Sequence, residues 1–261
     1  MTHLPDPIAR RRGCVQTARS WLDEHPVFLD TETTGTDDYA EVCEIAVIGP
    51  DGETIVDELV KPSRPIPQSA TEVHGISDAD VEDAPTMRDL EPELEEILLM
   101  GTPCCIYNAD FDTRLLRQSA TSGPLLDWPV HPSRVHCVME LMAWWHADWS
   151  DVHQSYTRIS QGDAAIELGI DVDAIDDLHR ARADAELCRR ILHALASMTQ
   201  EGARWLEDHD CPETEELEVL TMPGSPESKI RTIKVCPECK PLLDTPDATP
   251  DDLDRFRLRD T

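Results

Sequence analysis

Lysine is almost missing from this chain: among 261 residues it occurs only at Lys61, Lys229, Lys234 and Lys240. Arginine does not make up the difference, since Lys and Arg together number 23 against 53 Asp and Glu, a formal net charge of −30. A protein that grips nucleic acid by neutralising phosphates carries a basic face. Any polyanion bound here must therefore be held through metal ions, backbone amides and a few arginines, or in a high-salt interior. Adaptation of a whole proteome to salt is the alternative source of the acidity. No run of 18 apolar residues occurs, which excludes a hydrophobic membrane-spanning helix, and no signal-peptide pattern is present. We expect a cytoplasmic chain with no membrane partner. The nine cysteines are scattered through apolar stretches, which excludes a secreted disulfide framework and suits reduced core thiols. No polymerase or helicase segment is found.

What is present begins at Pro26–Gly35. Val27, Phe28 and Leu29 fit a buried strand, and Thr33-Thr34-Gly35 gives it a sharp exit. Residues two apart on a strand share a face, so Asp30 and Glu32 project together from its end. Adjacent carboxylates repel unless a proton or cation lies between them, and hard divalent ions favour such oxygen ligands. An isolated D-x-E often only caps a turn, so the reading depends on further carboxylates. Cys104–Asn108 reads as a second buried strand. It leads into a helix from Ala109 with Asn108 as N-cap and Phe111 and Leu115 as an apolar pair. Leu178–Leu187 runs into Cys188, Ile191, Leu192 and Leu195 at helical spacing. On a helix His179 and Asp184 would lie about 140° apart, so the spacing places His179 in the preceding loop and Asp184 on an early turn.

The order D-x-E (Asp30, Glu32), N-A-x-F-D (Asn108 to Asp112) and H-x-A-x-x-D (His179 to Asp184) resembles the DnaQ-like, or DEDDh, exonucleases, which include proofreading epsilon subunits and RNase T. Lys61-Pro62, Arg64–Pro67, Ala70–Ser77, Asp78, Val81, Ala84 and Pro85 resemble that family's segment between its first two motifs. The resemblance covers Val27 to Ala196. It implies an α/β fold, a ribonuclease-H-like mixed five-stranded sheet flanked by helices, and a 3′→5′ exonuclease with DNA the favoured substrate. It also implies two Mg²⁺ or Mn²⁺ ions. Asp30, Glu32 and Asp184 would hold the first, and Asp30 would bridge to the second, completed by Asp112. His179 would be the general base. Thr33, Thr34 and His74 would line the pocket for the terminal nucleotide. Asp110 competes with Asp112 for the ligand role, and the motif spacing selects Asp112. Implied partners are nucleic acid with a free 3′ end and a polymerase or repair complex. An RNA-trimming exoribonuclease and a non-catalytic binding module of such a complex stay open as alternatives.

The remaining chain suggests three parts: an N-terminal helix over 1–25 packing on the core, the exonuclease domain over 26–200, and an acidic C-terminal appendage over 201–261. Arg10, Arg11 and Arg12 read as a solvated helix face with phosphate contact as the lesser alternative. Glu41–Ile48 and Thr54–Val60 read as strands joined by the turn Gly49–Gly52. Arg88–Met100 reads as the crossover helix, Arg134–Val138 as the last strand, and Met139–Trp149 as a helix whose Trp144, Trp145 and Trp149 belong to the core, with stacking on bases as the lesser alternative. In the appendage, Cys236 and Cys239 form a C-x-x-C half-site. His209 and Cys211 could complete it for one structural Zn²⁺, the alternative being ordinary thiols.

Overall fold

The structure is a computed structural model that describes residues 7–99, 102–120, 134–172, 175, 179–198, 215–221 and 229–235. Its centre is strand β1 (Val27–Thr33). Alternate side chains serve two helical layers: Phe28 joins one buried cluster, while Val27 and Leu29 join another on the opposite face. A strand covered on both sides is apolar without alternation, which is why Val27–Leu29 is continuous in sequence.

Strand β2 (Val42–Ile48) pairs antiparallel with β1, and β3 (Thr54–Leu59) pairs antiparallel with β2. The turn between β2 and β3 closes with Gly49 N–H donating to Glu53 O at 2.8 Å. Gly52 adopts φ 87° there, and a Cβ on it would lie 3.2 Å from the Arg189 guanidinium. Helix α2 (Gln68–His74) and the crossover helix α3 (Met87–Leu99) follow. Strand β4 (Cys104–Ile106) then pairs parallel with β1, helix α4 (Ala109–Ser119) follows, and β5 (Val135–Cys137) pairs parallel with β4. The mixed five-stranded sheet has the order β3-β2-β1-β4-β5. Helix α1 (Pro7–Asp23), α5 (Val138–His146), α6 (Gln161–Glu167) and α7 (Ala181–Ser197) pack on one face, with Ala18, Met142, Ala164 and Leu192 in their shared core. Helices α3 and α4 cover the other face through Leu94, Leu98, Leu115 and Leu116.

Several sequence expectations change in detail. Strand β4 stops at Ile106, and Tyr107 turns out so that its hydroxyl donates to the Ile159 and Ser160 carbonyls at 3.0 and 2.9 Å. Asn108 occupies the N-cap of α4 without a side-chain cap. Its backbone oxygen accepts from Phe111 and Asp112 instead. Helix α5 ends at His146 because Ala147 takes a left-handed φ of 70°. Trp149 therefore lies in a small hairpin of β6 (Trp149–Ser150) and β7 (Ser155–Tyr156). Of the three tryptophans Trp145 is buried, whereas Trp144 is exposed and tilted against Tyr156. Arg10 is not on a solvated face. It is buried, donates to the Tyr156 hydroxyl at 3.2 Å and stacks on that ring.

Cys14, Cys43, Cys104, Cys105, Cys137 and Cys188 are free thiols. Among the described residues no helix is long and apolar enough to cross a membrane. The chain divides into two units, Met1–Met198 and Thr199–Thr261. In the second, β8 (Glu215–Thr221) and β9 (Lys229–Val235) form an antiparallel hairpin in register Glu215↔Val235. The proposed zinc ligands His209, Cys211, Cys236 and Cys239 lie outside the described residues.

Candidate active site

The site forms where β1 meets α7. Asp30 and Glu32 leave β1 on the face that α7 covers, and Asp184 enters from that helix's first turn. Ligand oxygens of these three carboxylates lie within 4.8 Å of one another. Asp112 stands on the other side of the strand, 3 % exposed on the first turn of α4. Its Oδ1 accepts from Thr31 N–H at 3.1 Å and from Thr31 Oγ1 at 2.7 Å, which accounts for its separation from the group of three. The neighbouring Asp110 points outward, 84 % exposed and 3.9 Å from Arg158.

Packing carboxylates this densely in a partly buried corner disfavours their charged forms. Burial, with Asp112, Asp184, Glu32 and Glu44 nearby, raises Asp30 well above the ordinary carboxylate range. Burial, then Asp184, Glu44 and Asp112, pushes Glu32 up to about 8. Burial raises Asp112 against the opposing hydrogen bonds from Thr31. Asp184 is raised by burial and held back by His179, through its charge and its backbone hydrogen bond. Three converging acids with a fourth behind the strand, all resisting ionisation, form a set that protons or cations would stabilise.

His179 precedes α7 in a left-handed conformation, φ 68°, with its side chain exposed. A left-handed non-glycine residue costs about 1–3 kcal/mol and persists only where its surroundings enforce it. Here the enforcing residue is Glu44, which sequence reading missed. Glu44 lies opposite Glu32 across the β1–β2 ladder and is 2 % exposed. Both its carboxylate oxygens accept from Arg180 Nε at 3.0 Å, Oε1 also from Arg180 Nη2, and Oε2 from Ala181 N–H at 2.9 Å. A carboxylate from β2 thus caps α7 and clamps the residue after His179. The only signal in sequence was a charged residue inside the apolar run Val42–Ile48.

Thr33, Thr34 and His74, expected to line a nucleotide pocket, are buried. Thr33 Oγ1 donates to Gly35 O at 2.8 Å. Thr34 N–H donates to Glu41 O at 2.9 Å, and Thr34 Oγ1 accepts from Glu41 N–H at 3.0 Å. His74 is buried and its Nδ1 accepts from Ile76 N–H at 3.0 Å. Its Nε2 faces Cys43 Sγ at 3.9 Å. Burial lowers the His74 pKa.

Comparison with known proteins bears on this arrangement. A family model described as an exonuclease, of the RNase T type, matches residues 27–192. An uncharacterized exonuclease of Escherichia phage 186 is 38% identical over 184 residues, covering 69% of this chain and 93% of that one. A DNA polymerase III subunit epsilon-like protein of Rhodobacter capsulatus is 34% identical over 100 residues, covering 35% of this chain but 14% of its own length. Among solved structures, the zinc-bound E. coli ExoI–ssDNA complex superposes with a TM-score of 0.50 at 16% identity, over 71% of this chain and 43% of that one.

Proposed function

The chain belongs to the exonuclease family matched over residues 27–192, the DnaQ-like proteins that its motifs resemble, and we propose that it releases nucleoside 5′-monophosphates from the 3′ end of a nucleic-acid strand. The observation that carries this reading is the convergence of Asp30, Glu32 and Asp184 to within 4.8 Å. The donors are all carboxylate oxygens, and their raised pKa values mean that the site gains most from a hard divalent cation. Asp30, Glu32 and Asp184 would hold one Mg²⁺ or Mn²⁺, and Asp30 with the Asp112 oxygen left free by Thr31 would hold a second. When bound, such ions acidify water and stabilise charge on the phosphoryl and leaving oxygens.

The protein's own groups supply the rest. His179 is exposed beside Asp184 and held in one backbone conformation, so its ring can take the proton of the attacking water. Thr33 and Thr34, stiffened by Gly35 and Glu41, would wall the place of the terminal nucleotide. We favour DNA over RNA because the epsilon-like relative is named for a DNA polymerase. A polymerase or repair complex is the partner this suggests.

The test uses a single strand labelled at its 5′ end, as DNA and as RNA, with Mg²⁺ and with a chelator. Stepwise shortening from the 3′ end, faster on DNA and stopped by chelation, is expected. Internal cuts, shortening from the 5′ end, or equal degradation in chelator would overturn it.

A further inference from the structure

The loop that follows the catalytic strand is built to hold one aromatic ring out in solvent. Tyr39 is 69% exposed, more than any aromatic that packs in the core. Yet its loop is tied down on both sides. Thr34 and Glu41 close its base with hydrogen bonds of 2.9 and 3.0 Å. From α4, Arg114 Nη1 donates to Asp37 O at 3.3 Å and Gln118 Nε2 to Ala40 O at 3.0 Å. Within the loop, Tyr39 N–H donates to Asp37 Oδ1 at 2.8 Å. Helix α4 also carries Asp112, so the ring and the carboxylate site share one rigid support.

A cation backs the ring. The Arg64 guanidinium lies 5.0 Å from the Tyr39 centroid. It is exposed and, among the described residues, forms no ion pair. The two are fastened together through Glu41, whose carboxylate accepts from Ser63 N–H at 2.8 Å and Ser63 Oγ at 2.7 Å. Isolated exposed aromatics are common, but a fixed ring with an unpaired guanidinium against it, in a molecule of net charge −30, is a placed feature. Cations held by Asp30, Glu32 and Asp184 would draw in the phosphodiester next to the 3′ end. The strand behind it meets only repulsion unless some other group holds it. An aromatic face takes any base by stacking, and an adjacent arginine adds a cation for the strand's phosphates.

We infer that Tyr39, backed by Arg64, is the stacking platform for a base of the substrate strand on the 5′ side of the scissile phosphate. The inference rests on the nuclease reading for what the strand is, and adds where its upstream part is gripped. Because stacking is indifferent to base identity, the platform confers processive hold and not sequence choice.

Binding in Ca²⁺ buffer tests it without turnover, by anisotropy of a fluorescein-labelled single-stranded oligonucleotide and by calorimetry with a nucleoside 5′-monophosphate. Tyr39→Ala is expected to weaken oligonucleotide binding roughly 5- to 100-fold, the factor that one lost stacking contact represents. Tyr39→Phe should bind like the wild type, since the ring and not the hydroxyl does the holding. Arg64→Ala should weaken binding and make it less sensitive to salt. The monophosphate has no upstream base, so its affinity should be the same in Tyr39→Ala as in the wild type. Equal oligonucleotide affinity in Tyr39→Ala and wild type overturns the inference. So does a parallel loss of monophosphate binding, which would make the loop a wall of the terminal pocket. Tyr39-dependent binding of the strand by a wild type that never hydrolyses it in Mg²⁺ supports the platform and overturns the nuclease reading instead.

Discussion

At the level of single residues, the crowded carboxylates of the candidate site cost fold stability wherever they are ionised. Glu32 has its pKa pushed up to about 8, above the ordinary carboxylate value, by burial and by the acids around it. A raised folded pKa means that stability is fully present below the unfolded value and is lost as pH rises through the folded one. In chelator, the melting temperature of the wild type should therefore fall as pH climbs from about 5 towards 9 more steeply than that of Glu32→Gln, and Mg²⁺ should recover more for the wild type. Parallel curves for the two proteins would show that Glu32 is not under this strain. Glu44 and Arg180 give a second residue-level expectation. Arg180→Ala leaves Glu44, whose side chain is 3% exposed, without its cation. Removing one partner of a buried pair costs on the order of 3–5 kcal/mol. Because the Arg180 side chain is 41% exposed, a loss nearer 2–3 kcal/mol is expected in denaturant unfolding, with a fall in nuclease rate beyond that stability loss as the His179 turn relaxes. Unchanged stability would remove the clamp from the account of α7. The convergence of Asp30, Glu32 and Asp184 was legible because their spacing is local to two motifs, one on a strand and one at a helix entry. Glu44 was not: one glutamate within an apolar strand does not say what it pairs with, and nothing near it announces an arginine in position 180.

At the scale of elements, three strands, the crossover helix and the entry to α7 were legible because each carries its own period, cap or turn. Gly49–Gly52 is one such turn, and its φ 87° glycine admits the tight reversal. The hairpin of β6 and β7 was not legible, since strands of two residues have no period and follow from Tyr156 seating against Arg10, Trp144 and Trp149. Helices α5 and α6 are joined at their ends by His146 Nδ1 and Glu167 Oε2, 2.7 Å apart. Hydrogen bonding to Glu167 raises the His146 pKa despite partial burial. This bond therefore stabilises fully below the unfolded histidine value and fades as pH rises through the folded one. Glu167→Gln should speed hydrogen exchange in α6 at pH about 5.5 and change it little at pH about 8.5. An equal effect at both would assign Glu167 a role in packing alone.

At the scale of the molecule, 53 acidic against 23 basic side chains dominate. Self-repulsion on this scale destabilises the compact state and is screened by salt. The melting temperature should rise by several degrees between low and high NaCl, and a flat or falling trend would mean that the charge is already locally compensated. The appendage gives a separate expectation from composition: if His209, Cys211, Cys236 and Cys239 bind metal, protein purified without chelators retains about one zinc per chain through dialysis. Zinc-free protein would leave them as thiols.

We propose that Asp30, Glu32, Asp112, Asp184 and His179 make one catalytic centre for 3′ ends. It is tested most directly by the single-turnover rate of 3′-nucleotide release in saturating Mg²⁺, for wild type beside Asp30→Ala and His179→Ala. Asp30→Ala should be inactive while folding normally. His179→Ala should be slowed on the order of 10²- to 10⁴-fold while still binding metal, since the histidine is a base and not a ligand. Substantial wild-type rate in Asp30→Ala, or no rate loss in His179→Ala, would place the chemistry elsewhere in the molecule.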